Sequence, residues 1–145
     1  MNDVLEYPTV SELIRAFRQG RLTPEEATDA ALARIKATEP TLNAFQLIDE
    51  PGAREAAAAS AKRWAEGRPL GPMDGIPLSI KDIVATKGWP TLSGSRTVDS
   101  NGPFDEDAPA VARLREGGAV ILGKTTTPEF GWKGMTDSPL AGITR

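Results

Sequence analysis

The sequence predicts an α/β fold with a mixed, largely parallel β-sheet flanked by helices, and three observations predict it. Helix-like and strand-like patterns alternate along most of the chain. The strand candidates are short apolar runs joined through helices or long connections, as parallel neighbours require. The composition, 39% hydrophobic and 26% charged over 145 residues, is that of a globular domain large enough to bury a core.

Each element has its own signal. Thr9-x-x-Glu12 is a capping box ahead of Val10, Leu13, Ile14 and Phe17, which share a helical face, and Gly20 ends that pattern. Thr23-Pro24-Glu25-Glu26 repeats the device with proline at the first helical position. This second helix is expected to run to about residues 36–38 and to be closed by Pro40. Residues 1–40 are therefore read as helical, and the sheet begins in 41–145. Residues 42–48 form a short apolar strand. Residues 51–66 form an alanine-rich helix with Ala53, Ala57, Ala61 and Trp64 on one face, stopped by Gly67.

A turn-rich connector, residues 68–75, leads into a strand over 76–84. Its period of two sends Pro77, Ser79 and Lys81 one way and Leu78, Ile80 and Asp82 the other. Residues 87–107 are rich in Gly, Pro, Ser, Thr and Asp, and they read as a long loop of the kind that carries function. Asp107 is expected to cap a helix reaching Glu116, with Val111 and Leu114 inward. Residues 119–122 read as a buried strand, and a helical turn is expected from Thr127-Pro128-Glu129. About three strands, one lacking a neighbour, is an unusual place for a sheet to finish, so the chain is expected to be incomplete.

Composition also excludes chemistry. Without histidine or cysteine, no Ser-His-Asp triad, Cys-His dyad, disulfide or ordinary zinc site can be built, so no cofactor or metal is expected. Any base must be Lys, Asp, Glu or Tyr. Seventeen basic and twenty acidic residues are interspersed, which argues against a nucleic-acid surface. No apolar run approaches the roughly 20 residues of a membrane span. The first six residues show no leader pattern, so the cytoplasm is the expected compartment.

Lys81 stands out, because lysine is depleted from strands and rarely buried. It is either an edge lysine whose stem snorkels to water or a desolvated lysine able to act as a base. The segment Gly71-Pro72-x-Asp74-Gly75-Ile76-Pro77-Leu78-Ser79-Ile80-Lys81-Asp82 resembles the GPLxGIPxxxKD segment of the amidase-signature family. The resemblance continues through Gly94-Ser95, then Asp107-Ala108-x-x-Val111-x-x-Leu114-Arg115-x-x-Gly118-Ala119-Val120-Ile121-x-Gly123-Lys124-Thr125. Glu129-Phe130 and Gly142-Ile143-Thr144-Arg145 follow in order, and Asn43-Ala44-Phe45 fits earlier, so it covers essentially the whole chain.

The resemblance implies a serine hydrolase that cleaves carboxamide C–N bonds with a Ser–cis-Ser–Lys triad. It makes Lys81 the triad lysine and Met135, Thr136 and Asp137 part of the substrate-lining loop. It makes this chain the N-terminal segment of a single amidase domain, ending before both serines and inactive alone. Ser93-Gly94-Ser95 lies just after the lysine strand and does not match the Gly/Ser-rich signature. Ser138 stands where family members often carry Asn. The implied partner is a small-molecule amide, with a homo-oligomer possible and no nucleic acid unless an alternative holds. That alternative is the A-type subunit of a glutamine-dependent tRNA amidotransferase, a subgroup that typically has Asn where this chain has Ile83. More remotely, residues 118–125 satisfy the phosphate-loop pattern GxxxxGK[ST], yet their middle is Ala-Val-Ile-Leu, itself a strand. Asp82 is expected to be structural, and Lys124 to be a strand-end residue.

Overall fold

The computed structural model describes residues 8–145; the segment 1–7, on which the expectation about a leader falls, lies outside the described residues. Two helices open the chain, α1 (Val10–Arg18) and α2 (Pro24–Leu42), and each begins with the capping box expected of it. The second runs one turn further than expected, with Pro40 inside it. Proline in a last turn deletes only its own N–H bond, so the helix continues to Asn43, whose left-handed backbone (φ 51°) ends it. The Glu39 carboxylate then accepts the amides of Ala44 and Phe45, turning the chain into β1 (Phe45–Ile48).

Helix α3 (Glu50–Ala65) starts where Asp49 accepts the Gly52 amide. It buries Ala53, Ala57 and Ser60, small residues that allow close packing. The connector leads into β2 (Pro77–Lys81), then α4 (Pro109–Glu116) and β3 (Val120–Thr125). Asp107 does not cap α4. Its carboxylate accepts the Lys87 amide at 2.7 Å and pairs with Arg115 at 3.1 Å, leaving Ala108 at the cap position. After a 3₁₀ turn at Glu129–Gly131, two short strands, β4 (Asp137–Ser138) and β5 (Gly142–Ile143), form a hairpin that the sequence pattern does not reveal.

The main sheet has the order β1-β3-β2. Strands β2 and β3 are parallel, as a βαβ unit demands, whereas β1 runs antiparallel to β3, so the sheet is mixed. The alternation of β3 sorts the core: Val120 and Leu122 pack with Leu32, Ala53 and Ala57 from α2 and α3. Ile121 packs on the other side with Ile80 and Val111, under α4. Leu13, Phe17 and Ala27 close around Ile76 at the start of the β2 strand.

The parallel pairing carries one irregularity that matters for everything beyond it. Leu78 pairs with Ile121 but Ile80 pairs with Lys124, so two steps of β2 span three of β3. The extra residue is a bulge, and it transfers Lys124 from the side of Val120 and Leu122 to the side of Ile80 and Asp82. Gly123 permits the deviation, with φ 153° and the Leu47 carbonyl oxygen pressed against the place where a Cβ would stand. Gly123→Ala is therefore expected to lower stability by roughly 2–4 kcal/mol in urea unfolding.

At the other end of the β2–β3 pair, Asp74 is fully buried and takes a bidentate bond from Arg63 at 2.8 and 2.6 Å, with the Leu70 amide at 2.8 Å. Burial pushes its carboxyl up, but the Arg63 guanidinium and the Leu70 amide together hold it below the usual carboxylate value. The stabilisation is complete well above the unfolded carboxyl's pKa of about 3.9 and is lost as pH falls below that value through the lower folded-state pKa. The urea midpoint should therefore fall as the pH is lowered from about 5, and that of Asp74→Asn should fall less over the same range.

Candidate active site

Strands β2 and β3 end side by side, with Lys81 registered against Thr125. Lys81 is exposed and the next residue, Asp82, is buried, as the period of two requires. Among the described residues Ile80 and Ile83 do not enclose Lys81, which stands as an edge lysine does. Ile80 turns into the core beneath α4, and Ile83 is 41% exposed. The buried lysine is Lys124, with 0% side-chain exposure and its Nζ 3.2 Å from Asp82 Oδ1. Lys124 also donates to the Val84 carbonyl at 3.0 Å and to Thr91 Oγ1. Burial pulls its ammonium pKa below the ordinary lysine value, and the Asp82 carboxylate opposes that shift.

Around this pair the loops are tightly bonded. The Asp82 carboxylate accepts the Leu92 amide at 3.3 Å, its carbonyl accepts the Ser93 amide at 2.9 Å, and its own amide donates to Thr125. Ser93 and Gly94 are both left-handed (φ 53° and 65°), which lets Gly94 lie against the Thr127 carbonyl. Ser95 is 1% exposed and donates to Glu129 Oε1 at 2.7 Å, so it is a structural hydroxyl, not an accessible nucleophile.

Glu129 also borders an open cleft of about 590 Å³, shared with Trp132, Lys133, Asp137, Ser138 and Ile143 among others. Of the loop residues put forward from sequence, Asp137 lines this cleft, half-buried and ion-paired with Lys133. Met135 is 72% exposed, and neither it, Thr136 nor Lys81 lines the cleft. The hairpin that carries these residues is pinned from afar: Asn43 Nδ2 donates to the Ala141 carbonyl at 2.7 Å, and Thr144 Oγ1 donates to the Asn43 carbonyl at 2.7 Å.

Residues 118–125, the phosphate-loop match, run as strand from Val120 to Thr125. The Lys124 ammonium is spent inside the protein, so no cradle of loop amides and free lysine is formed. Among the described residues no group of His, Cys, Asp and Glu could hold a metal ion.

The family model described as Amidase matches residues 26–145. The chain belongs to the amidase signature family. It is 41% identical over 140 residues to the A subunit of glutamyl-tRNA(Gln) amidotransferase from Chloroflexus aurantiacus, covering 97% of this chain and 28% of that protein. To indoleacetamide hydrolase of Bradyrhizobium diazoefficiens it is 39% identical over 131 residues, covering 89% of this chain and 24% of that one. The native peptide amidase of Stenotrophomonas maltophilia superposes with a TM-score of 0.85 at 34% identity, covering 97% of this chain and 30% of the amidase. The chain thus spans less than a third of the length of these relatives.

The Lys124–Asp82 pair lies beyond reach of the sequence, because strict alternation from Val120 places Lys124 on the wrong face. The readable signal is a charge at the end of each of two apolar strands. Lys124→Met leaves the buried Asp82 carboxylate without its cation and should cost about 3–5 kcal/mol in urea unfolding. The double variant Asp82→Asn with Lys124→Met should recover most of that loss.

Proposed function

We propose that this chain is the N-terminal segment of an amidase domain and supplies Lys81 as the base of a Ser–cis-Ser–Lys centre. The centre cleaves a carboxamide C–N bond of a small molecule. One observation carries the reading: the lysine of the family's Lys-Asp step stands exposed at the end of a parallel strand whose next residue is anchored in the core. An exposed amine on a rigid support suits a group that must meet reacting partners from outside this segment. The two serines belong, on this reading, to a Gly/Ser-rich signature C-terminal to position 145. The nucleophilic serine attacks the carbonyl, the bridging serine passes its proton to Lys81, and backbone amides of the signature hold the oxyanion.

Lys81 is exposed in this segment, so whatever encloses it in the working enzyme comes from the remainder of the enzyme or from substrate. Indoleacetamide hydrolase and peptide amidase, by name, act on amides, which supports the substrate class. The 41% identity to an amidotransferase A-type chain supports a second reading, in which the same centre works within a glutamine-dependent complex on tRNA. Ile83 in place of the Asn typical of that subgroup favours the plain amidase. No helix among the described residues is long and apolar enough to cross a membrane, and we assign the enzyme to the cytoplasm.

In a chain carrying the serine-bearing remainder, Lys81→Ala should lower kcat by about 10²–10⁴-fold with a smaller effect on KM. Lys81→Arg should fail as well, since guanidinium stays protonated. Near-native kcat in either folded variant would remove Lys81 from the chemistry.

A further inference from the structure

The proposed chemistry makes no use of Lys124 or Asp82, yet they are among the most deeply buried side chains, at 0% and 1% exposure. Apolar residues of similar volume commonly replace such a pair without loss of stability. What they cannot replace is direction, because apolar contact is non-directional whereas an ammonium has three N–H bonds to aim. Lys124 Nζ donates to the Val84 carbonyl at 3.0 Å and to Thr91 Oγ1, and it is ion-paired with Asp82 Oδ1 at 3.2 Å.

Those acceptors come from the turn immediately after β2 and from the loop that returns to it. The Val84 amide donates to the Lys81 carbonyl at 3.0 Å, closing residues 81–84 into a tight turn. The Leu92 and Ser93 amides donate to the carboxylate and carbonyl of Asp82, and the Asp82 amide donates to Thr125. Lys81 is the first residue of this turn, so the backbone that carries it is fixed on both sides. We infer that Lys124 and Asp82 are positioning residues, a buried ionic clamp that sets the direction in which Lys81 leaves the end of β2. The inference rests on the reading of Lys81 as the base. A proton acceptor displaced by about 1 Å loses on the order of 10² in rate, so a clamp of this kind acts on kcat.

The test uses amide hydrolysis by a chain carrying the serine-bearing remainder, with kcat expressed per folded molecule. Two variants open the clamp: the charge-free pair Asp82→Asn with Lys124→Met, and the milder Thr91→Val, which removes one acceptor. Each should lower kcat by at least about tenfold with KM changed little, and should speed hydrogen exchange at the Leu92 and Ser93 amides. Arg63→Met is the control: it breaks the other buried ion pair of the β2–β3 unit and should lower stability while leaving kcat unchanged. A merely structural role predicts the same behaviour for all three, with stability reduced and kcat native. Native kcat in folded Thr91→Val and in the double variant, alongside an inactive Lys81→Ala, would overturn the clamp alone. Native kcat in Lys81→Ala would instead overturn the reading on which it rests.

Discussion

An ammonium taken into the interior of a sheet costs several kcal/mol, and the cost is offset only if every N–H finds an acceptor at close range. In this fold that demand falls on Lys124, and it dictates the conformation of whatever surrounds it. The turn 81–84 must present a carbonyl, the loop 91–93 must present a hydroxyl, and Asp82 must face inward. A segment rich in glycine, proline and serine thereby acquires one conformation instead of many. The usual division, with a rigid scaffold below and adaptable loops above, is modified here, because the scaffold reaches up and ties the loop in place.

The parallel pair β2–β3 is held in the same way at both ends. Before the strands begin, the buried Asp74 carboxylate grips Arg63 from α3, and after they end, the Asp82 carboxylate grips Lys124. In each case the carboxylate comes from the chain flanking β2, and a backbone amide from the adjoining loop adds a further bond. Between the two pairs lie the buried apolar residues Ile76, Ile80, Val120 and Ile121, spread over both faces. Register is the property that such end-anchoring protects. A slip by one residue would exchange the residues of the two covered faces and separate two buried charges from their partners.

Local chemistry makes much of this readable in the sequence. The two capping boxes set the starts of α1 and α2, and the small-residue face of α3 is visible in its alanines, because these signals are contained within a few residues. Departures arise where a distant partner decides the outcome. Pro40 reads as a stop, but the Glu39 carboxylate, turning back on the next amides, lets the helix end later. Asp107 resembles a cap and is instead held by Arg115, one helix length away. The β4–β5 hairpin is only two residues deep on each side and has no apolar alternation to announce it. At the site, the sequence points to Lys81 and to the Asp137 loop, yet the bulge that turns Lys124 inward has no local signature beyond one glycine among many.

Asn43 joins parts of the chain that are made at very different times. Its left-handed backbone closes the end of α2, its side chain holds Ala141, 98 positions later, and its carbonyl accepts from Thr144. At synthesis rates of about 5–20 residues per second, this asparagine leaves the peptidyl-transferase centre roughly 5–20 seconds before its partners are made. During that interval α1, α2 and α3 can form on the ribosome, whereas β1 lacks β3, its one neighbour among the described residues, which begins 72 positions after the strand ends. The left-handed turn at Asn43 is local and can be set early, but what it is shaped to hold arrives last. Docking of the hairpin that borders the cleft is therefore a late, closing event in the biogenesis of this segment.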